Sequence, residues 1–239
     1  MQISVVIPVK NEADNIVPLV DEVEAALGGR LEFETIVVDD GSTDATAERL
    51  RAAMARLPRL RVIHHLANRG QSAGVWTGVR HARGEWIATL DGDGHNDPAD
   101  LPLLWQRLAD EPRPDMVAGH RVQRRDTASK RLASRLANRI RAALLKDETP
   151  DSGCGIKIFR RALFLELPYF DHMHRFLPAL ARRHGGRVIS VAVNHRPRGA
   201  GRSNYTNFGR LKAGILDLLG VWWLIRRSRL PIATREDTR

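Results

Sequence analysis

Apolar runs and stretches of helical periodicity alternate through the first half of the chain. Ile3 to Ile7 is a short apolar run stopped by Pro8. From Glu12 to Leu27 the apolar residues Ile16, Leu19, Val20, Val23 and Leu27 recur at helical spacing, and Gly28-Gly29 ends the pattern. Phe33 to Val38 reads as a second strand closed by Asp39-Asp40-Gly41. Ser42 or Thr43 then suits the cap of a helix running to about Leu57. Leu60 to His64 is a third strand, Gln71 to Ala82 a helix, Trp86 to Leu90 a fourth strand, Leu101 to Leu108 a helix and Met116 to Ala118 a short fifth strand. Strands separated by helices of this length predict parallel pairing with right-handed crossovers, hence a doubly wound α/β sheet.

The second half changes character. Ser129 to Lys146 predicts an amphipathic helix, with Leu132, Leu136, Ile140 and Leu144 four apart and basic residues on its other faces. Arg187 to Val193 alternates as a late strand. A Gly- and Arg-rich loop, Arg196 to Asn204, precedes a C-terminal helix from about Phe208 to Arg226.

The 239 residues are 43% hydrophobic and 28% charged, which fits a globular fold with a sizeable core. A net charge of +10 favours anionic partners. Cys154 is the only cysteine, so no intramolecular disulfide can form. Met1 leads straight into a strand with no signal-peptide pattern, and the expected location is the cytoplasm.

Candidate chemistry gathers beyond the carboxyl ends of the strands, where doubly wound sheets bind ligands. Asp91-Gly92-Asp93 follows the fourth strand, and two carboxylates at that spacing can converge on one hard cation, Mg²⁺ or Mn²⁺. Asp39-Asp40-Gly41-Ser42-Thr43-Asp44 follows the second strand, where an acid can accept bonds from a ribose or base. After the first strand stands Pro8-Val9-Lys10-Asn11-Glu12 instead of a Gly-x-Gly-x-x-Gly turn, which argues against NAD.

Taken in order, Val5-Val6-Ile7-Pro8-Val9-Lys10-Asn11-Glu12, Val37 to Asp44 and Leu90-Asp91-Gly92-Asp93 resemble glycosyltransferase family 2 with its GT-A fold. Asn68-Arg69-Gly70, Gly119-His120-Arg121, Arg131 with Ser134 and Asn138, Ser152-Gly153-Cys154-Gly155, His174-Arg175-Phe176-Leu177-Pro178, and His195 to Arg198 with Gly201 to Tyr205 resemble its dolichol-phosphate mannosyltransferase branch and the bacterial polyprenyl-phosphate relatives. The resemblance implies that Pro8, Lys10, Glu12, Val38 and Asp40 line a nucleoside pocket. It implies that Asp91, Gly92 and Asp93 meet the diphosphate, sugar and metal. His95 stands where the family often has glutamine and would be a third ligand, shifting preference toward Mn²⁺. Arg121, Arg131 and Arg198 would hold donor and acceptor phosphates, with Ser134 and Arg202 on the acceptor side. Asn204 replaces a frequent lysine at the donor, and Arg202 would supply the missing charge. Catalysis would rest on Asp91, Asp93, Arg121 and Arg131.

The implied reaction is inverting transfer of mannose or a similar hexose from a GDP- or UDP-linked donor to a polyprenyl phosphate. A phosphate monoester has a second pKa near ~6. The acceptor oxygen is therefore already anionic at neutral pH and needs positioning by arginines, not a general base. A saccharide acceptor is the alternative, and aromatics at 5% with no evident carboxylate base count against it. A nucleic-acid-binding module would need stacking aromatics or a recognition-helix motif, and neither is seen.

The expected organisation is a catalytic domain over 1–206, with a nucleotide-sugar half to about 120 and an acceptor half over 121–206. A membrane-interface helix over 207–229 and a tail over 230–239 complete it. Leu211 to Ile225 is fifteen residues, a helical rise of only ~22 Å against the ~30 Å of a bilayer core. Trp222 and Trp223 with flanking Arg226, Arg227 and Arg229 instead suit a helix lying in the interface, peripheral on the inner face of the cell membrane.

Overall fold

The computed structural model describes residues 1–110, 112–121, 140–194, 196 and 207–227, with side chains of the last segment described from 214 onward. Among the described residues seven strands form one sheet: β1 (Ile3–Val9), β2 (Phe33–Asp39), β3 (Leu60–His64), β4 (Trp86–Thr89), β5 (Met116–Arg121), β6 (Lys157–Arg160) and β7 (Val188–Val193), in the order β3-β2-β1-β4-β6-β5-β7. β1 pairs in parallel with β2 and β4, and β2 with β3. The helices between them are α1 (Ala13–Leu27), α2 (Thr46–Met54), α3 (Gln71–His81) and, after β4, α4 (Leu101–Gln106).

Alternation along β1 divides the sheet between two cores. Ile3, Val5, Ile7 and Val9 pack with Ile16, Leu19 and Val23 of α1 on one face. Val6 points the other way, to Val75 and Val79 of α3. A strand covered on both faces must be apolar at nearly every position, and all seven residues of β1 are buried.

β6 is absent from the expected elements. It is four residues long, begins and ends with Lys157 and Arg160, and runs antiparallel between β4 and β5. The sheet is therefore mixed, though mostly parallel. β5 extends three residues past the expected Ala118, to Arg121. α2 starts later than expected, and neither Ser42 nor Thr43 caps it. The Asp44 carboxylate accepts from the Thr46 amide at 3.0 Å, while the Ser42 hydroxyl accepts from the Asn11 amide at 2.9 Å. Of the expected helix from Ser129 to Lys146, the described residues 140–145 are helical. The C-terminal helix spans Asn207–Arg227.

Candidate active site

The loops after β1 and β2 are laced together. Asn11, at φ 56°, accepts from the Thr43 amide at 2.8 Å, and Thr46 Oγ1 accepts from the Glu12 amide at 3.0 Å. The two adjacent acids of the second motif have structural bonds. Asp39 accepts from the Ser42 amide and contacts His64 Nδ1, both at 3.0 Å. Asp40 contacts His65 Nδ1 at 2.7 Å and accepts from the amides of Arg69 and Gly70 at 2.8 and 2.7 Å. That cradle pins the loop leading into α3. Lys10 and Glu12 are half-buried. The Val38 side chain is wholly buried in the core beneath α3.

Asp91 lies at the end of β4, two residues past Thr89. Its backbone amide donates to Asn96 Oδ1 at 2.9 Å, and its Oδ1 accepts from Gln71 Nε2 at 2.7 Å. The loop before β6 closes over it, so that a Cβ on Gly155 would collide with the Asp91 carboxylate. Burial pushes the Asp91 pKa up, and the neighbouring Asp93 pushes it further. Lys157, Gln71 and Arg121 pull the other way. Two carboxylates that repel each other in a closed site are the arrangement a divalent cation relieves.

His95 does not join them in a ready-made trio. Among the described residues no three His, Cys, Asp or Glu side chains are grouped to hold a metal. His95 Nδ1 instead meets the Arg196 carbonyl at 2.9 Å, and Nε2 sits 3.7 Å from Asp93 Oδ2. A carbonyl only accepts, so Nδ1 is the donor in that bond. Arg196, which the sequence did not single out for the site, docks this turn onto α1 through Glu22 at 2.7 Å.

A cavity of 660 Å³ opens beside Asp91. Its polar end holds Asp91, Arg121 and Lys157, and its apolar wall includes Val75, Phe176 and Leu218. Arg121 grips Asp151 through two bonds of 2.6 and 2.8 Å. Pro8 lines this cavity, whereas Lys10, Glu12 and Asp40 do not. His174 stands on its wall with Nδ1 2.7 Å from Ser72 Oγ. Burial, with Arg175 and Lys157 nearby, lowers its pKa to about 3, so the imidazole is neutral at physiological pH. Gln71, Asp151, Lys157 and His174 carry the site without having been assigned to it from sequence. His174 and the residues following Asp151 belong to motifs already noted, and that adjacency was the available signal. Arg131, Ser134, Arg198, Arg202 and Asn204 lie outside the described residues.

Comparison with known proteins follows the same lines. A family model described as Glycosyl transferase family 2 matches residues 4–167. The dodecaprenyl-phosphate galacturonate synthase of Rhizobium johnstonii is 35% identical over 97% of the chain and 69% of its own length. The undecaprenyl-phosphate 4-deoxy-4-formamido-L-arabinose transferase of Edwardsiella ictaluri is 35% identical over 85% of the chain, and the match covers 62% of its length. The chain thus spans about two thirds of these relatives. Among solved structures, glucosyl-3-phosphoglycerate synthase from Mycobacterium tuberculosis, in complex with Mg²⁺ and UDP, superposes with a TM-score of 0.72 at 21% identity, covering 94% of the chain and 79% of that protein. A mannosyltransferase of Pyrobaculum calidifontis, in complex with GDP-Man and Mn²⁺, gives 0.67 at 23% identity, covering 96% and 66%. Both likenesses concern the fold.

Proposed function

The chain belongs to glycosyl transferase family 2, and from that membership we propose that it moves a sugar from a nucleotide sugar to a polyprenyl phosphate, with inversion at the anomeric carbon. The observation that carries this reading is the make-up of the cavity. A charged end at Asp91, Arg121 and Lys157 continues into an apolar wall at Val75, Phe176, Leu177, Ile215 and Leu218. An acceptor with an anionic head and a hydrocarbon tail suits both halves, whereas a saccharide acceptor would leave the apolar wall unused. Two relatives whose names give prenyl-phosphate acceptors support the same class. Their sugars, galacturonate and 4-deoxy-4-formamido-L-arabinose, differ from each other and from mannose. The relatives thus share the acceptor class but not the sugar, and the donor is proposed as a GDP- or UDP-linked sugar.

Asp91 and Asp93 suit Mg²⁺ or Mn²⁺, with substrate phosphate oxygens completing the shell. The cation would neutralise charge on the departing diphosphate. Gln71 fixes the first carboxylate for that task. Arg121, held by Asp151 through Nε and Nη2, would offer Nη1 to a phosphoryl group. The acceptor oxygen is already anionic, with a second pKa near ~6. The site therefore has to align it in line with the leaving group and exclude water. Neutral His174 adds a hydrogen-bonding wall without adding charge.

Among the described residues no helix is long and apolar enough to cross a membrane. Ile215, Leu216, Leu219 and Trp223 expose about half or more of their surface along the C-terminal helix, at 53, 61, 51 and 57%. We take this face to rest on the cytoplasmic surface of the cell membrane, bringing the cavity to the lipid phosphate. Incubating the full chain with labelled nucleotide sugars and either undecaprenyl phosphate or oligosaccharides tests the acceptor. Label extracted into organic solvent only with the lipid supports the proposal, and label remaining on oligosaccharide overturns it.

A further inference from the structure

We infer that Lys157 is a phosphoryl-binding residue: a buried ammonium on the cavity floor whose counter-charge is supplied by a phosphate oxygen of a substrate. Lys157 opens β6 and pairs with Thr89 on one side and Ala118 on the other, so it sits in the middle of the sheet two residues from Asp91 along the adjoining strand. It is 3% exposed, and its side chain lines the cavity together with Asp91 and Arg121.

An ammonium has three donors, and a charge removed from water is ordinarily paired. Among the described residues Lys157 bonds to the Cys154 carbonyl and makes no ion pair. Asp151, close enough to feel its charge, is already engaged by Arg121 through both carboxylate oxygens. Asp91 is also felt, but its Oδ1 is taken by Gln71. Burial accordingly pushes the Lys157 pKa below its usual value, and the fields of Cys154, Asp91 and Asp151 only partly oppose this. Among the described residues, Lys157 is thus a buried amine with no carboxylate bonded to it, beside a space of 660 Å³. Arg175 also faces that space, but it is partly exposed to solvent and so lacks the same need.

Donor diphosphate and acceptor monophosphate both present oxygens that meet it. The inference rests on the proposed function only for those two identities.

The test uses the full chain and the variant Lys157→Met, which keeps the length of the stem and removes the charge. Three quantities are read: the melting temperature without ligand, the affinities for UDP, GDP and inorganic pyrophosphate, and the KM for undecaprenyl phosphate. The melting temperature is expected to stay the same or rise, because an unpaired buried charge has gone. At least one ligand arm should weaken tenfold or more. Loss in the nucleotide and pyrophosphate arm assigns Lys157 to the donor, and loss in the KM arm assigns it to the acceptor. A lower melting temperature with both arms unchanged makes Lys157 structural and overturns the inference, as does no change at all. If the variant fails to fold, acylation of the wild-type lysine followed by mass spectrometry decides. Pyrophosphate or undecaprenyl phosphate should protect Lys157 but not Lys146, and lack of protection by both overturns the inference. Binding and protection need no turnover. A wild-type protein inactive toward every prenyl phosphate would sink the proposed function and leave the pyrophosphate result to stand on its own.

Discussion

The side-chain amide of Gln71 donates a 2.7 Å hydrogen bond to Oδ1 of Asp91, tying the first turn of α3 to the tip of β4. α3 is itself set by the loop that Asp40 pins through the amides of Arg69 and Gly70. The acid after β2 thus helps to place the acid after β4. A bond to a charged group is worth roughly 1.5–3 kcal/mol. Gln71→Ala should therefore lower kcat/KM for the donor by about tenfold or more, with little change in melting temperature. An unchanged kcat/KM would mean that Asp91 is oriented without Gln71.

Asp91→Asn and Asp93→Asn should each lower transfer by at least ~100-fold, because each removes charge where the diphosphate departs. EDTA should abolish wild-type activity, and added Mn²⁺ or Mg²⁺ should restore it. Near-normal turnover in EDTA would contradict the role assigned to the pair.

His174 gives a pH signature. Its folded pKa of about 3 lies below the 6.5 usual for a histidine. Below pH 6.5 the unfolded chain therefore binds a proton that the folded chain does not, and stability falls as the pH drops toward 3. The slope from this one group is up to about 1.4 kcal/mol per pH unit. Denaturant midpoints between pH 7 and 5 should fall more steeply for wild type than for His174→Gln. Parallel curves would show that His174 protonates freely in the folded protein.

Trp222 and Trp223 are adjacent but differ in kind. Trp222 packs against the core beneath α3 with Arg226 over its ring at 4.6 Å, while Trp223 is 57% exposed. Leu219→Ser with Trp223→Ser should weaken binding to anionic liposomes at unchanged melting temperature. Trp222→Ser should lower the melting temperature. Salt should weaken wild-type binding, since basic residues near such a surface contribute roughly 1 kcal/mol each. Liposome binding indifferent to Leu219 and Trp223 would remove this helix from the membrane.

What could be read in the sequence follows physical range. β1, β2 and β4 were legible because each is buried along its whole length, and α1 through its buried stripe: Ile3 to Ile7 and Ile16-Leu19-Val20-Val23 are local patterns. β6 was not, since Lys-Ile-Phe-Arg has too few apolar positions to show a period. Asp91 and Asp93 were legible as a motif, and the partner Gln71 was not, because only the fold brings a residue 20 positions away against Asp91. The Asp39-Asp40 pair resembled a binding signal, and the structure adds the loop-pinning bonds that the sequence did not suggest.

The central claim is transfer of a sugar alone, onto a lipid phosphate. The most direct measurement is the phosphorus content of the lipid product together with the identity of the nucleotide released, from full-length protein, undecaprenyl phosphate and a donor it accepts. The account predicts one phosphorus per transferred sugar in the lipid and a nucleoside diphosphate in solution. Two phosphorus atoms per sugar with a nucleoside monophosphate, or a sugar product with no lipid phosphorus, would contradict it.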